Sequence, residues 1–205
     1  MTLPPVLPET DLTMDKRIVL IGPPGAGKTT CGQFVAAKLG WRFVDTDSVI
    51  EKQQGCAVSQ FFATEGESAF RELESQTLAT LLNEQSSGIV IGTGGGIILR
   101  ESNRQMLGNL EFLCYLKAEL ETLVGRLAGD TTRPLLQATA VNSTGREPQA
   151  SLEPNAALTQ RLKTLLAERA KFYETARHVF DTGNLSPEQI AQLIVERLNL
   201  PPDLG

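Results

Sequence analysis

The sequence predicts an α/β fold, a parallel sheet with helices on both faces. Three observations carry that prediction: short apolar runs recur along the chain, amphipathic helical periods separate them, and a glycine-rich loop stands between the first run and the first helix. "IVLI" (18–21) is continuously β-branched and aliphatic, the composition of a strand buried on both faces. "RFVD" (42–45), "IVIG" (89–92), "FLCYL" (112–116) and "HVFD" (178–181) repeat the strand signal. Thr29 to Leu39 reads as a helix stopped by Gly40. Helical spacing recurs in Phe70, Leu73, Leu78, Leu81 and Leu82, then in Leu120, Leu123, Val124 and Leu127. It returns in Leu158, Leu162, Leu165 and Leu166, and finally in Ile190, Leu193, Ile194 and Leu198. The last helix opens on "SPEQ" (186–189), in which Ser186 and Gln189 form a capping box around Pro187. Only "QATAVNSTGREPQASLEPNA" (137–156) lacks any period, and it reads as a loop or mobile lid.

Composition narrows the function classes. A chain of 205 residues fits one domain, and a net charge of −5, from 19 Lys and Arg against 24 Asp and Glu, offers no footprint for nucleic acid or an anionic membrane. Cys31, Cys56 and Cys114 are scattered and form no CxxC pair, which argues against a zinc site and for a reducing compartment. Each reads as a small buried hydrophobe. No apolar run approaches the ~18 residues of a membrane span. The stretch up to Met14 is Pro-rich and reads as a loose tail without leader character. These features predict a cytoplasmic protein acting on small molecules.

Directly after the first strand comes "GPPGAGKT" (22–29), which matches G-x-x-x-x-G-K-[ST] at every fixed position. Glycines let consecutive backbone N–H groups curl around phosphates, and the helix that opens there adds its partial positive charge. Gly25, Ala26, Gly27, Lys28, Thr29 and Thr30 are therefore the predicted cradle for ATP or GTP. Lys28 stands in an exposed loop reaching the β and γ oxygens, and Thr29 offers a hydroxyl to Mg²⁺. A plain glycine-rich turn has no use for Lys28.

The acceptor side is less explicit. Asp45 and Asp47 in "DTD" lie on one side of the chain if it stays extended, where they could serve Mg²⁺ through water and a substrate hydroxyl. Capping of turns or helices accounts for them equally well. Arg71 and Glu74 stand at i, i+3 in "FFATEGESAFRELE" (61–74), a spacing that usually marks a solvated ion pair. The three glycines of "GTGGG" (92–96) admit turn chemistry or a close backbone approach. His178, beside Val179 and Phe180 in a strand-like run, reads as structural.

Taken in order, "GPPGAGKT", "DTDSVIE" (45–51), "FFATEGESAFRELE", "GTGGG", "TTRPLL" (131–136) and "ERAKFYETA" (168–176) resemble the shikimate kinase family, from about Arg17 to Leu198. The resemblance implies a P-loop kinase fold with a five-stranded parallel sheet: a tail over 1–14 and one kinase domain over 15–200, with a lid at about 126–156. It implies transfer of the ATP γ-phosphoryl group to the 3-hydroxyl of shikimate by a monomer, with ATP and Mg²⁺ as cofactors. By the same resemblance Asp47 takes the shikimate hydroxyls and Asp45 the Mg²⁺ through water. Arg71 and Arg169 hold the carboxylate, Glu74 aligns Arg71, and Phe62 and Phe70 wall the ring. Arg133 is the lid arginine that swings onto the phosphates, and Arg126 and Pro187 sandwich adenine. Gly94, Gly95 and Gly96 then sit beside the acceptor, where any Cβ would collide with it. Prolines at 23 and 24 are a variant of the first loop, and the 137–156 segment is longer than the family's lid.

Two rival readings differ in testable residues. A gluconate or nucleoside-monophosphate kinase would share the first motif, but a nucleoside acceptor wants a base pocket, whereas paired arginines favour a carboxylate. A non-catalytic regulatory module would keep the fold and lose Asp47 or Arg133, and both are present.

Overall fold

A computed structural model describes residues 17–84, 88–128 and 154–198. Arg133, most of the expected lid and the expected N-terminal tail lie outside these described residues. The five strands that sequence patterning predicts all form: β1 (Arg17–Ile21), β2 (Arg42–Asp45), β3 (Ile89–Gly92), β4 (Phe112–Lys117) and β5 (His178–Asp181). They make one parallel sheet in the order β2-β3-β1-β4-β5.

β1 lies at the centre, and every apolar residue of its "IVLI" run is shut off from solvent. Alternation along a strand sends successive side chains to opposite faces, so this one run feeds two cores. Val19 and Ile21 join Ile89, Ile91, Leu113 and Tyr115 on one face. Covering that face are α3 (Val58–Asn83), a 3₁₀ turn (Ile97–Leu99), α4 (Glu101–Gly108) and the end of α6 (Pro154–Tyr173). On the other face Ile18, Leu20, Val90, Cys114 and Leu116 pack under α1 (Lys28–Leu39) and α7 (Pro187–Leu198). The capping box of α7 forms as its sequence predicts: Gln189 N donates to Ser186 Oγ (3.2 Å) and Ser186 N to Gln189 Oε1 (2.9 Å). α5 (Leu120–Leu127) packs its apolar stripe, Leu123 and Leu127, on Leu162 of α6.

Several local expectations need correction. β2 gives way at once to α2 (Thr46–Gln54), so the chain does not stay extended through "DTD". α6 begins at Pro154, inside the segment that reads as aperiodic to residue 156. α3 is broken at Gly66, whose φ of +82° and ψ of 171° suit glycine and interrupt the helical ladder. Cys31 and Cys114 are buried as expected, but Cys56 is half-exposed. His178 is structural in its contacts: it stacks on Phe112 and accepts from Arg197 Nε at 3.4 Å. Among the described residues no helix is long and apolar enough to cross a membrane.

Candidate active site

The carboxyl ends of β1, β2 and β3 lie level, since Gly92 is in register with both Leu20 and Asp45. Each strand therefore delivers its following loop to the same edge of the sheet, the place where open α/β sheets bind ligands. β1 delivers the glycine-rich loop, β2 the aspartates and β3 the glycine triplet.

In the first loop Gly27 has φ +89°, a left-handed conformation, immediately before Lys28 starts α1. Lys28 is not in an exposed loop: it is the first residue of the helix and 8% exposed. Its Nζ donates to the carbonyls of Gly22 (2.7 Å) and Pro23 (2.8 Å), which folds the ammonium back over the loop it must serve. Thr29 Oγ1 donates to Asp45 Oδ2 at 2.8 Å.

Asp45 bears out the capping reading and, with its other oxygen, faces the first loop. Oδ1 caps α2, accepting from the N–H groups of Asp47 (3.0 Å) and Ser48 (3.4 Å), while Oδ2 faces Thr29. The cap fixes the carboxylate so that its second oxygen meets the phosphate loop. Thr46, fully buried, turns its hydroxyl to accept from Gly94 N at 3.1 Å, tying β2 to the glycine triplet.

None of the three glycines has a positive φ, so turn chemistry does not explain them. Close approach does: a Cβ at each would meet side chains of this chain. A Cβ on Gly94 would stand 2.7 Å from Asp47 Oδ1 and 2.8 Å from Glu74 Oε1. On Gly95 it would meet Pro24 Cδ at 3.0 Å, and on Gly96 it would fall 2.6 Å from Arg71 Cζ. The triplet is thus the floor on which α2, α3 and the phosphate loop converge, and Pro24 joins the donor loop to that floor.

Arg71 and Glu74 are not a solvated pair. Arg71 is 7% and Glu74 1% exposed, and Arg71 Nη1 donates to Glu74 Oε2. Glu67 takes Arg71 Nε (3.3 Å) and Nη2 (3.1 Å). The guanidinium also stacks on Phe62 and Phe70, 5.8 and 5.5 Å from their ring centroids. Burial works against the Arg71 charge, but Glu74 and Glu67 outweigh it and raise its pKa. Burial pushes the Glu74 carboxyl up to about 7; Arg71 and Arg169 pull it down and Asp47 pushes it up.

Arg169, on α6, reaches the same place from the far end of the sequence. Its Nη1 donates to the Gly95 carbonyl at 3.2 Å, and its Nε is buried without a hydrogen-bond partner among the described residues. Tyr173, one turn on, donates its phenol hydrogen to the same carbonyl and stacks on Tyr115 with centroids 5.2 Å apart. Burial holds the Tyr173 pKa up at about 12, so the phenol stays a donor at any working pH. The sequence reading singles out neither Tyr173 nor Thr46.

A second recess opens beside the phosphate loop. Ala26, Gly27, Thr30, Cys31, Arg126, Thr182 and Pro187 line a cavity of about 200 Å³, which brings together Arg126 and Pro187. Arg126 is held there by Gly25 O (3.3 Å), Thr182 Oγ1 (3.2 Å) and Thr182 O (2.7 Å).

A glycine-rich phosphate loop with a recess at its side and a cluster of buried charged side chains at the same edge of a five-stranded parallel sheet are the features of a P-loop kinase. The shikimate kinase family model matches residues 24–199. Shikimate kinase of Thermodesulfovibrio yellowstonii is 38% identical over 181 residues, 88% of this chain and 94% of that one. The Pseudomonas aeruginosa enzyme is 38% identical over 187 residues, 90% of this chain and 98% of the relative. Among solved structures, shikimate kinase from Acinetobacter baumannii in complex with shikimate superposes with a TM-score of 0.77 at 33% identity, over 91% of this chain and 93% of that one. This chain belongs to the shikimate kinase family, enzymes that phosphorylate shikimate at the expense of ATP.

Proposed function

We propose that the pocket between the glycine triplet, Asp47, Arg71 and Arg169 receives shikimate, and that the recess between Arg126 and Pro187 receives the adenine of ATP. The observation that carries the assignment is the convergence on the Gly94–Gly96 turn of two buried guanidiniums from distant segments, Arg71 by packing and Arg169 by hydrogen bond. Two forked cations suit a carboxylate far better than a neutral ring or a base. The solved Acinetobacter baumannii relative, which holds shikimate, supports the reading.

In this reading Lys28 leaves the Gly22 and Pro23 carbonyls for the β and γ phosphate oxygens when ATP enters, and Arg133 adds a second positive charge. Phosphoryl transfer asks little covalent work of a protein, so positioning and charge stabilisation do most of it. Asp47 accepts a hydrogen bond from the attacking 3-hydroxyl and fixes its direction. Phe62 and Phe70 close the ring's side of the pocket. Thr29 Oγ1 and Asp45 Oδ2, in contact at the loop, are hard oxygens of the kind Mg²⁺ prefers and would hold it there, Asp45 through water. The chemistry such an ion would supply there is neutralisation of the charge that develops on the phosphate. We place the enzyme in the cytoplasm, as a monomer acting on small molecules without nucleic-acid or membrane partners, with residues 15–200 as one kinase domain and the lid at about 126–156.

The test is ADP release from ATP with Mg²⁺ and a panel of shikimate, quinate, gluconate and AMP. Turnover with shikimate alone is expected, and turnover with AMP refutes the acceptor assignment.

A further inference from the structure

Among the described residues, three carboxylates (Asp47, Glu67 and Glu74) meet two guanidiniums (Arg71 and Arg169) where the substrate carboxylate is to bind. Glu74 is faced by Arg71 and, through Arg71, by Glu67 from its own helix, by Asp47 from α2 and by Arg169 from α6. The Gly94–Gly96 turn, packed against it, brings no titratable side chain. Three carboxylates thus surround two guanidiniums, in a place that must admit a carboxylate. Glu74 Oε1 and Asp47 Oδ1 approach the same point above Gly94 to 2.8 and 2.7 Å.

We propose that Glu74 takes up a proton from solvent when the substrate carboxylate binds, and so acts as the residue that compensates the charge of an anionic acceptor. This rests on the reading of the pocket as the shikimate site. The step is a simple protonation: one solvent proton joins the Glu74 carboxylate, which becomes a neutral carboxyl. Oε2 continues to accept from Arg71, and the new hydroxyl on Oε1 turns to Asp47 Oδ1. The incoming carboxylate screens the two guanidiniums that keep Glu74 ionised and adds a like charge beside it, and both effects favour the neutral form. Because burial, against the pull of Arg71 and Arg169, already brings Glu74 to about 7, only a modest further rise is needed to complete the protonation near neutral pH. Arg71, relieved of half its obligation, can then give a full fork to the substrate.

The experiment is calorimetric titration of the full chain with shikimate at pH ~7.5 in phosphate, HEPES and Tris, whose ionisation enthalpies differ. The slope of observed heat against buffer enthalpy counts protons, and about half a proton or more should be taken up, with affinity falling as pH rises. Glu74→Gln should bring the slope close to zero. Should that variant fold poorly, the neutral amide of shikimate, titrated into the unaltered protein, serves instead and should bind without uptake. Clear binding heat with zero slope overturns the proposal alone, as does an undiminished slope in Glu74→Gln or with the amide. Absence of any shikimate binding overturns the reading of the pocket, and this inference with it.

Discussion

The Tyr173 phenol and the Arg169 guanidinium share one acceptor, the carbonyl oxygen of Gly95. They lie four residues apart on α6, hence on one helix face, and a fully buried tyrosine is thereby made the brace of an arginine and of the glycine turn together. Because the Tyr115 ring stacks on Tyr173 from the sheet, the phenol's position is set by the core and not by solvent.

Tyr173→Phe keeps that stack and removes only the hydroxyl. A net hydrogen bond is worth about 1 kcal/mol, so the melting temperature should drop by a few degrees and shikimate kcat/KM by roughly 5-fold, with the ATP KM unchanged. A brace that merely stabilised the fold would leave the shikimate KM untouched in the folded enzyme. An unaltered shikimate KM therefore rules out the positioning role.

Arg71→Ala and Arg169→Ala should each lower shikimate kcat/KM by roughly 10- to 150-fold, the worth of a charge-assisted hydrogen bond of about 1.5 to 3 kcal/mol, and leave ATP binding nearly unchanged. If both hold one carboxylate, the double variant loses less than the sum of the singles. Steady-state kinetics with shikimate and with its neutral amide make the comparison. Equal losses on both substrates would show that these arginines do not read the carboxylate.

Glu74 ties stability to pH in a definite direction. Its folded-state pKa, about 7, lies above the ordinary 4.5 because burial favours the neutral carboxyl, so the folded chain binds that proton more tightly than the unfolded one. Its contribution is then fully present below pH 4.5 and lost as pH rises through about 7. Urea unfolding across that window should show the native chain losing stability relative to Glu74→Gln, which cannot ionise and still accepts from Arg71. Parallel profiles for the two proteins would mean that Glu74 is not titrating there.

The sheet and the phosphate loop are legible in the sequence because their signals are local: a β-branched run buried on both faces, and a loop whose glycines and lysine stand at fixed spacing. The acceptor pocket is legible only in part. Arg71 and Glu74 look like any surface pair at i, i+3, and their burial follows from α2, the glycine turn and α6 closing over them, none of which local spacing reveals. Asp45 stands undecided in the sequence because one carboxylate performs two tasks, a cap with one oxygen and a contact to Thr29 with the other. Tyr173 passes for a core aromatic, which by burial it is; the signal that could have singled it out is its i, i+4 relation to Arg169. Thr46 is hidden by the aspartates on either side of it, although it is the member of "DTD" that is wholly buried.

The glycine turn offers the sharpest separation of folding from function. Gly96 has φ −97° and ψ −3°, a backbone that alanine adopts without strain, so Gly96→Ala should cost little through the main chain. Its new methyl would crowd the guanidinium tip of Arg71, the far end of a flexible side chain, which can swing aside. Swinging aside, however, takes Arg71 off Glu74 and off the axis on which it meets a carboxylate. At Gly94 the methyl would press on the carboxylates of Asp47 and Glu74 at once, displacing the group that orients the attacking hydroxyl. Both variants should therefore fold and bind ATP. Gly96→Ala should raise the shikimate KM by roughly 10-fold or more, the scale of losing one charge-assisted contact, with kcat less affected. Gly94→Ala should lower kcat more than it raises KM, because a misdirected hydroxyl harms the transfer and not the docking. Melting curves, nucleotide titration and steady-state kinetics on the two alanine variants make the test. Identical KM and kcat changes at both positions would refute the division of labour between Arg71 and Asp47, and collapse of the fold in Gly96→Ala would show that the turn has no room to yield.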